Sequence, residues 1–241
     1  MLRSSNPALG NNSFRAVEPT TGLAVMSVSG TVNKSLALVG LIFVAAYWSF
    51  SRPEVIVPFL MPAVLGSLVL AIVTIFKKSI APITAPIYAL GEGIVLGCIS
   101  AIYEQQFQGI AFQALSLTFG TLMAMLLAYK SGVIKATEKF KLGVFAATGG
   151  IALVYLINMI IGFFGKSITV LHSSSPLGIG ISLVIVVVAA LNLVIDFDFI
   201  ERNAANNVPK YMEWYAAFAL IITLVWLYME ILRLLAKVRR R

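Results

Sequence analysis

The sequence predicts an all-α membrane protein, a polytopic bundle of seven transmembrane helices. Composition is the first observation behind this: hydrophobic residues make up 59% of the 241 and charged residues 12%, with a mean hydropathy of +0.94. Soluble domains run near ~45–50% apolar and ~25% charged. The second is pattern. The apolar residues gather in long runs without strand-like alternation, and lipid offers no partner to open backbone groups, so such runs are helices. The third is where the charge lies. The formal charge is +8, from 18 Lys and Arg against 10 Asp and Glu, and the positives sit between the runs or at the ends. That placement anchors membrane helices, so nucleic acid is not an expected partner.

Residues 1–33 are rich in Ser, Asn, Gly and Thr and lack the apolar core of a secretory signal, so they read as a flexible polar tail. The transmembrane domain spans 34–237, and 238–241 form a basic C-terminal tail. The first apolar run, Ser35–Phe50, ends in Tyr47 and Trp48, residues suited to a membrane interface. The second, Val55–Phe76, holds Pro58 and Pro62 in its first turns, where proline is tolerated, and stops at Lys77 and Lys78. The third, Tyr88–Tyr103, carries Gly93 and Gly97 in a G-x-x-x-G, a close-packing helix face. The fourth is Ile110–Tyr129. The fifth, Leu142–Phe164, has Gly149-Gly150 and Asn158 but no strand-loop-helix context, which excludes a phosphate loop. The sixth is Leu177–Phe199 and the seventh Tyr211–Leu235. At ~1.5 Å per residue, most can cross a ~30 Å hydrocarbon layer, the first and third being short.

Orientation follows from the positive residues. With the N-terminus inside, the tail (Arg3, Arg15, Lys34) and the inner loops (Lys77, Lys78, Lys130, Lys135, Lys139, Lys141, Arg202, Lys210) hold eleven, and the opposite loops only Arg52 and Lys166. The C-terminal cluster of Arg233, Lys237, Arg239, Arg240 and Arg241 runs against this, because seven crossings place it outside.

Chemistry concentrates at residues 192–215, where Asp196, Asp198 and Glu201 reach the foot of the sixth run and Glu213 heads the seventh. Carboxylates at membrane depth are costly and default to a functional reading. Asn192 and Asp196 are four apart and share a face, whereas Asp198 lies roughly 200° round from Asp196 at ~100° per residue. Asp196 is therefore expected to point inward and Asp198 to pair with Arg202, four residues on. The short sixth-to-seventh loop returns Glu213 to a similar depth. Two carboxylates close together in a poorly solvated place cannot both ionise cheaply. Such a pair holds one proton near neutral pH and could release it for a cation, or act as a gate. The plain alternative leaves Asp198, Glu201 and Glu213 solvated at the interface. Asn192, Glu230 and Glu92 are supporting candidates. Glu92 also reads as an interfacial carboxylate, and Glu230 as a snorkelling pair with Arg233. The lone Cys98 and lone His172 exclude a disulfide framework, a metal-ligand set and His-based triads, so neither a cofactor nor a metal is expected. No nucleophile–base pair accompanies the acids either, which argues against an enzyme.

The stretches I-D-F-D-F-I (195–200), Y-M-E-W-Y-A-A-F (211–218), A-Y-K-S-G-V-I-K-A-T-E-K-F-K-L-G (128–143) and I-L-R-L-L (231–235) resemble the Bax inhibitor family of membrane proteins in its bacterial branch. The resemblance covers residues 35–235. It implies a seven-helix fold with the last helix central, placed in the bacterial cytoplasmic membrane. It also implies a pH-sensitive leak for Ca²⁺ or another cation, gated by a pair of aspartates. Asp196 matches the sixth-helix aspartate and Glu213 the seventh-helix one. This chain departs in having Glu for the second Asp and about ten extra residues before L-R-L-L. A rival register puts Glu230 there; it lies 17 residues beyond Glu213, about 25 Å of helix. The resemblance also permits a non-transporting adaptor that modulates other membrane proteins, such as a quality-control protease. The expected partners are thus the lipid bilayer, protons and Ca²⁺ or another cation, and on the second reading another membrane protein.

Overall fold

The computed structural model describes residues 24–164, 168–169 and 173–241, so the readings of Arg3, Arg15, Lys166, His172 and residues 1–23 of the tail lie outside the described residues. Among those described, all regular structure is helical, apart from one isolated bridge between Val25 and Pro209. Seven helices are long and apolar enough to cross a membrane. They are α1 (Val28–Phe50), α2 (Pro53–Phe76), α3 (Ala81–Gln106), α4 (Ile110–Lys130), α5 (Glu138–Phe163), α6 (Pro176–Ala205) and α7 (Met212–Arg239). The fold class is the expected one.

Several helices begin earlier or end later than their apolar runs, for local reasons. α1 takes in residues 28–33, which the sequence reading placed in the polar tail. Ser27 caps it, its Oγ accepting from Gly30 N at 3.0 Å. Thr31 and Ser35 remain inside the helix because each hydroxyl donates to the carbonyl four residues back. α2 is interrupted by a tight turn at Val57–Phe59, where Pro58 sits, and resumes at Leu60. α3 starts seven residues before Tyr88, with Pro82 in its first turn and Pro86 inside it. α4 is capped from a distance: the Glu104 carboxylate accepts from Gly109 N, and from Ala111 N at 3.0 Å. Glu201 and Arg202 lie on α6, which runs on to Ala205; the chain then turns at Asn207 with φ 52°.

The chain forms two compact units. The first contains residues 24–101 and 198–222: α1, α2, most of α3, the last turns of α6 and the opening of α7. Here the G-x-x-x-G of α3 lies against α1. A Cβ on Gly93 would stand 2.6 Å from Ile42 O, and one on Gly97 would fall on Ala46 O. The backbones approach closely enough for Ser49 Oγ to donate to Ile94 O at 2.8 Å. Tyr88 meets Phe218 edge to face with centroids 5.0 Å apart. The segment before α1 pairs with the α6–α7 turn, Met26 N donating to Val208 O (2.8 Å) and Lys210 N to Ala24 O (3.1 Å).

The second unit contains residues 102–197 and 223–241: the end of α3, α4, α5, most of α6 and the rest of α7. Leu193, Leu227 and Leu232 are fully buried in it. Asn192 Nδ2 joins α6 to α5 by donating to Thr148 Oγ1 at 2.8 Å. The basic end of α7 is docked: Arg239 donates to Gln108 O (2.7 Å) and Gln113 Oε1 (2.9 Å), and Arg240 to Gln106 Oε1 (3.1 Å). Two of the five positives that ran against the charge count, Arg239 and Arg240, are thus held by carbonyl groups of the α3–α4 region.

Gly97→Leu is expected to destabilise the protein in detergent by at least ~1–3 kcal/mol, because the α1 backbone cannot yield. Gly120→Leu, where a Cβ meets nothing within 4 Å, is expected to stay within ~0.5 kcal/mol. Thermal unfolding of the two variants checks the contrast; equal losses would contradict the α1–α3 packing.

Candidate functional site

Asp196 stands nine residues before the end of α6, about 14 Å along the helix. Its carboxylate accepts a hydrogen bond from the buried Thr223 hydroxyl of α7. Oδ2 is shielded from solvent and has no hydrogen-bond partner among the described residues. A carboxylate oxygen so placed can take a proton or face a cation. Asn192, one turn away on the same helix, is spent on Thr148 and on Val188 O.

Thr223 opens a series. Thr223, Trp226, Glu230, Arg233 and Lys237 follow one another on α7 at alternating spacings of three and four, which is one helix face. Glu230 is 1% exposed, and its Oε1 accepts from Tyr155 OH (2.8 Å), Arg233 Nη1 (2.9 Å) and Trp226 Nε1 (3.2 Å). Its Oε2 is buried and has no partner among the described residues. Arg233 Nη1 also donates to Tyr155 OH at 2.8 Å. Lys237 is buried, and its ammonium donates to Ser182 Oγ (2.7 Å) and Gly178 O (3.2 Å). This polar seam runs over fourteen residues, about 21 Å. Thr223 and Tyr155 were not anticipated from the sequence; the three-four recurrence of polar residues in the seventh run was the signal available.

The other acids have partners of their own in the first unit. Glu213, in the first turn of α7 and 1% exposed, accepts from both Ser27 N and Ser27 Oγ at 3.0 Å through Oε1, and Lys34 Nζ pairs with its Oε2. Lys34 also lies 5.6 Å from the Trp214 ring centroid. In a capping box the N-cap amide is bound by a carboxylate of its own helix; here Glu213 serves α1 from α7. Gly30 lies directly against it: a Cβ there would fall on the carboxylate as it is placed. Asp198 pairs with Arg202, Nε to Oδ2 2.8 Å, as expected from their spacing. Glu92 accepts a hydrogen bond from Tyr88, one turn earlier on α3. Among the described residues no three His, Cys, Asp or Glu side chains converge as a metal site.

Removing one partner from a buried ion pair costs about 3–5 kcal/mol at most, and Lys34 keeps 20% of its side chain exposed, which screens part of it. Glu213→Gln is therefore expected to lower the unfolding midpoint clearly. The double variant Lys34→Met, Glu213→Gln should lose less than the sum of the singles. Strict additivity in that cycle would mean the pair is not coupled.

A family model described as Bax inhibitor 1 like matches residues 6–240. No curated protein and no solved structure gives a match. With nearly the whole chain covered by that model and seven apolar helices in the structure, this integral membrane protein belongs to the Bax inhibitor 1-like family.

Proposed function

We propose that the protein is a pH-sensitive leak for Ca²⁺ or a similar cation, with Asp196 as its responsive carboxylate. The observation that carries this reading is the Oδ2 of Asp196, shielded and without a partner among the described residues, within a membrane-spanning helix. A buried acceptor left unmatched costs stability, so its retention favours use by a mobile partner, a proton or a cation. The polar seam that continues from Thr223 supports it by lining part of α7 with groups that can exchange hydrogen bonds. On this reading Glu213 and Lys34 secure the entrance of α1 to the α6–α7 turn, Asp198 stays an ion-paired group of α6, and the protein conducts rather than catalyses. The distribution of Lys and Arg favours an N-terminus on the inner side, in a bacterial cytoplasmic membrane.

Ca²⁺ uptake into proteoliposomes at a series of pH values tests this. The natural protein is expected to show a flux that changes with pH, and Asp196→Asn a flux that no longer does. Glu213→Gln is expected to change the amount of folded protein more than the shape of the pH profile. A pH-dependent flux that Asp196→Asn leaves intact would overturn the assignment. Absence of flux in every variant would favour the adaptor reading.

A further inference from the structure

The second unit carries an open groove of about 280 Å³ between α5 and α6, lined almost entirely by apolar atoms. Ala147, Gly150 and Tyr155 of α5 and Val184 and Val188 of α6 are among its walls. The groove exists partly because Gly150 has no side chain: a Cβ there meets no atom within 4 Å. From Tyr155 to Ala147 it follows eight residues of α5, about 12 Å. One end is polar. Tyr155, a wall residue, is hydrogen-bonded to Arg233 and Glu230, and the Arg233 guanidinium lies 5.4 Å from the Tyr155 ring centroid.

Arg233 is only partly used. Nη1 makes its bonds to Tyr155 OH and Glu230 Oε1, while the Nε–Nη2 edge donates to nothing among the described residues; the side chain is 31% exposed. That edge is the two-donor fork that grips a phosphate. Depth agrees. α7 has 28 residues, about 42 Å, against a hydrocarbon layer of about 30 Å. Its end therefore projects by about 6 Å, and Arg233, about 9 Å from that end, sits within a few ångströms of the hydrocarbon boundary. The groove leads from there toward the middle of the bilayer. The last twelve residues hold five Lys and Arg (233, 237, 239, 240, 241) against one acid, Glu230, so the local balance favours an anion.

We propose that this groove binds one anionic phospholipid of the surrounding bilayer, with an acyl chain along Gly150 and Val188 and its phosphate on Arg233. The site is separate from Asp196 and does not depend on the transport reading. Arg233 keeps its bonds to Glu230 and Tyr155 while the lipid occupies its outer edge, so binding holds α5 against the seam.

Native mass spectrometry of the detergent-solubilised protein, titrated with phosphatidylglycerol or phosphatidylcholine, tests the proposal. One phosphatidylglycerol should persist under conditions that strip other lipids, with a preference over phosphatidylcholine of about tenfold or more. Gly150→Leu, which fills the groove, should abolish retention while circular dichroism and the unfolding midpoint stay unchanged. Arg233→Gln should shrink the preference, which follows the positive charge, whereas Arg233→Lys should keep the preference but retain less lipid, because an ammonium lacks the fork that grips the phosphate. Equal retention of both lipids, or unchanged retention in a folded Gly150→Leu protein, would mean annular contact alone and would overturn the site.

Discussion

Hydrocarbon supplies no hydrogen-bond partners, so each polar group inside a membrane protein must find one within the protein or remain unmatched. Much of this structure follows from that constraint. Thr31, Ser35, Ser100 and Thr118 turn their hydroxyls back onto the preceding turn. Glu104 and Glu213 spend their carboxylates on backbone amides at helix starts, where the helix dipole also favours negative charge. Lys237 is matched by a hydroxyl and a carbonyl. Among the described residues, two carboxylate oxygens, Asp196 Oδ2 and Glu230 Oε2, are buried without such a match. Both belong to the second unit, and both lie along the α7 seam or on the group bound to it.

The acids that look alike in the sequence are therefore unlike in the structure. Glu213 is embedded in a clamp of Ser27, Lys34 and the close approach of Gly30, which ties the first helix to the last connection of the chain. Asp198 is neutralised by its own helix neighbour. Asp196 has a neutral partner, Thr223, and one oxygen uncommitted. A carboxylate with a cationic partner is already compensated, whereas one with only a hydroxyl stays responsive to protons and ions. This difference underlies the separate roles proposed for Asp196 and Glu213.

How much of this was legible before the structure depends on the range of the interaction. The seven crossings, the packing face of Gly93 and Gly97, and the Asp198–Arg202 pair rest on spacings of three to seven residues or on whole-run composition, and the sequence displays both. The starts of α1 and α3 lie upstream of the apolar runs, because polar residues and a proline join the helices there: the Thr31 hydroxyl bonds back to Ser27 O, and Pro82 takes a first-turn position. The partners of Glu213 lie 186 and 179 residues away in the chain, beyond any periodicity argument. Thr223 escaped notice as a small polar residue in an apolar run, although its recurrence with Trp226, Glu230, Arg233 and Lys237 was visible in the sequence.

The most direct test of the account asks whether Asp196 changes its protonation within the membrane. Infrared difference spectra of the reconstituted protein, recorded as pH is stepped through neutrality and compared with Asp196→Asn, report that event. The account predicts a protonated-carboxyl band that comes and goes with pH in the natural protein and is missing from the variant. Spectra in which the two proteins respond identically would contradict it, because the uncommitted oxygen of Asp196 would then have no part in sensing protons.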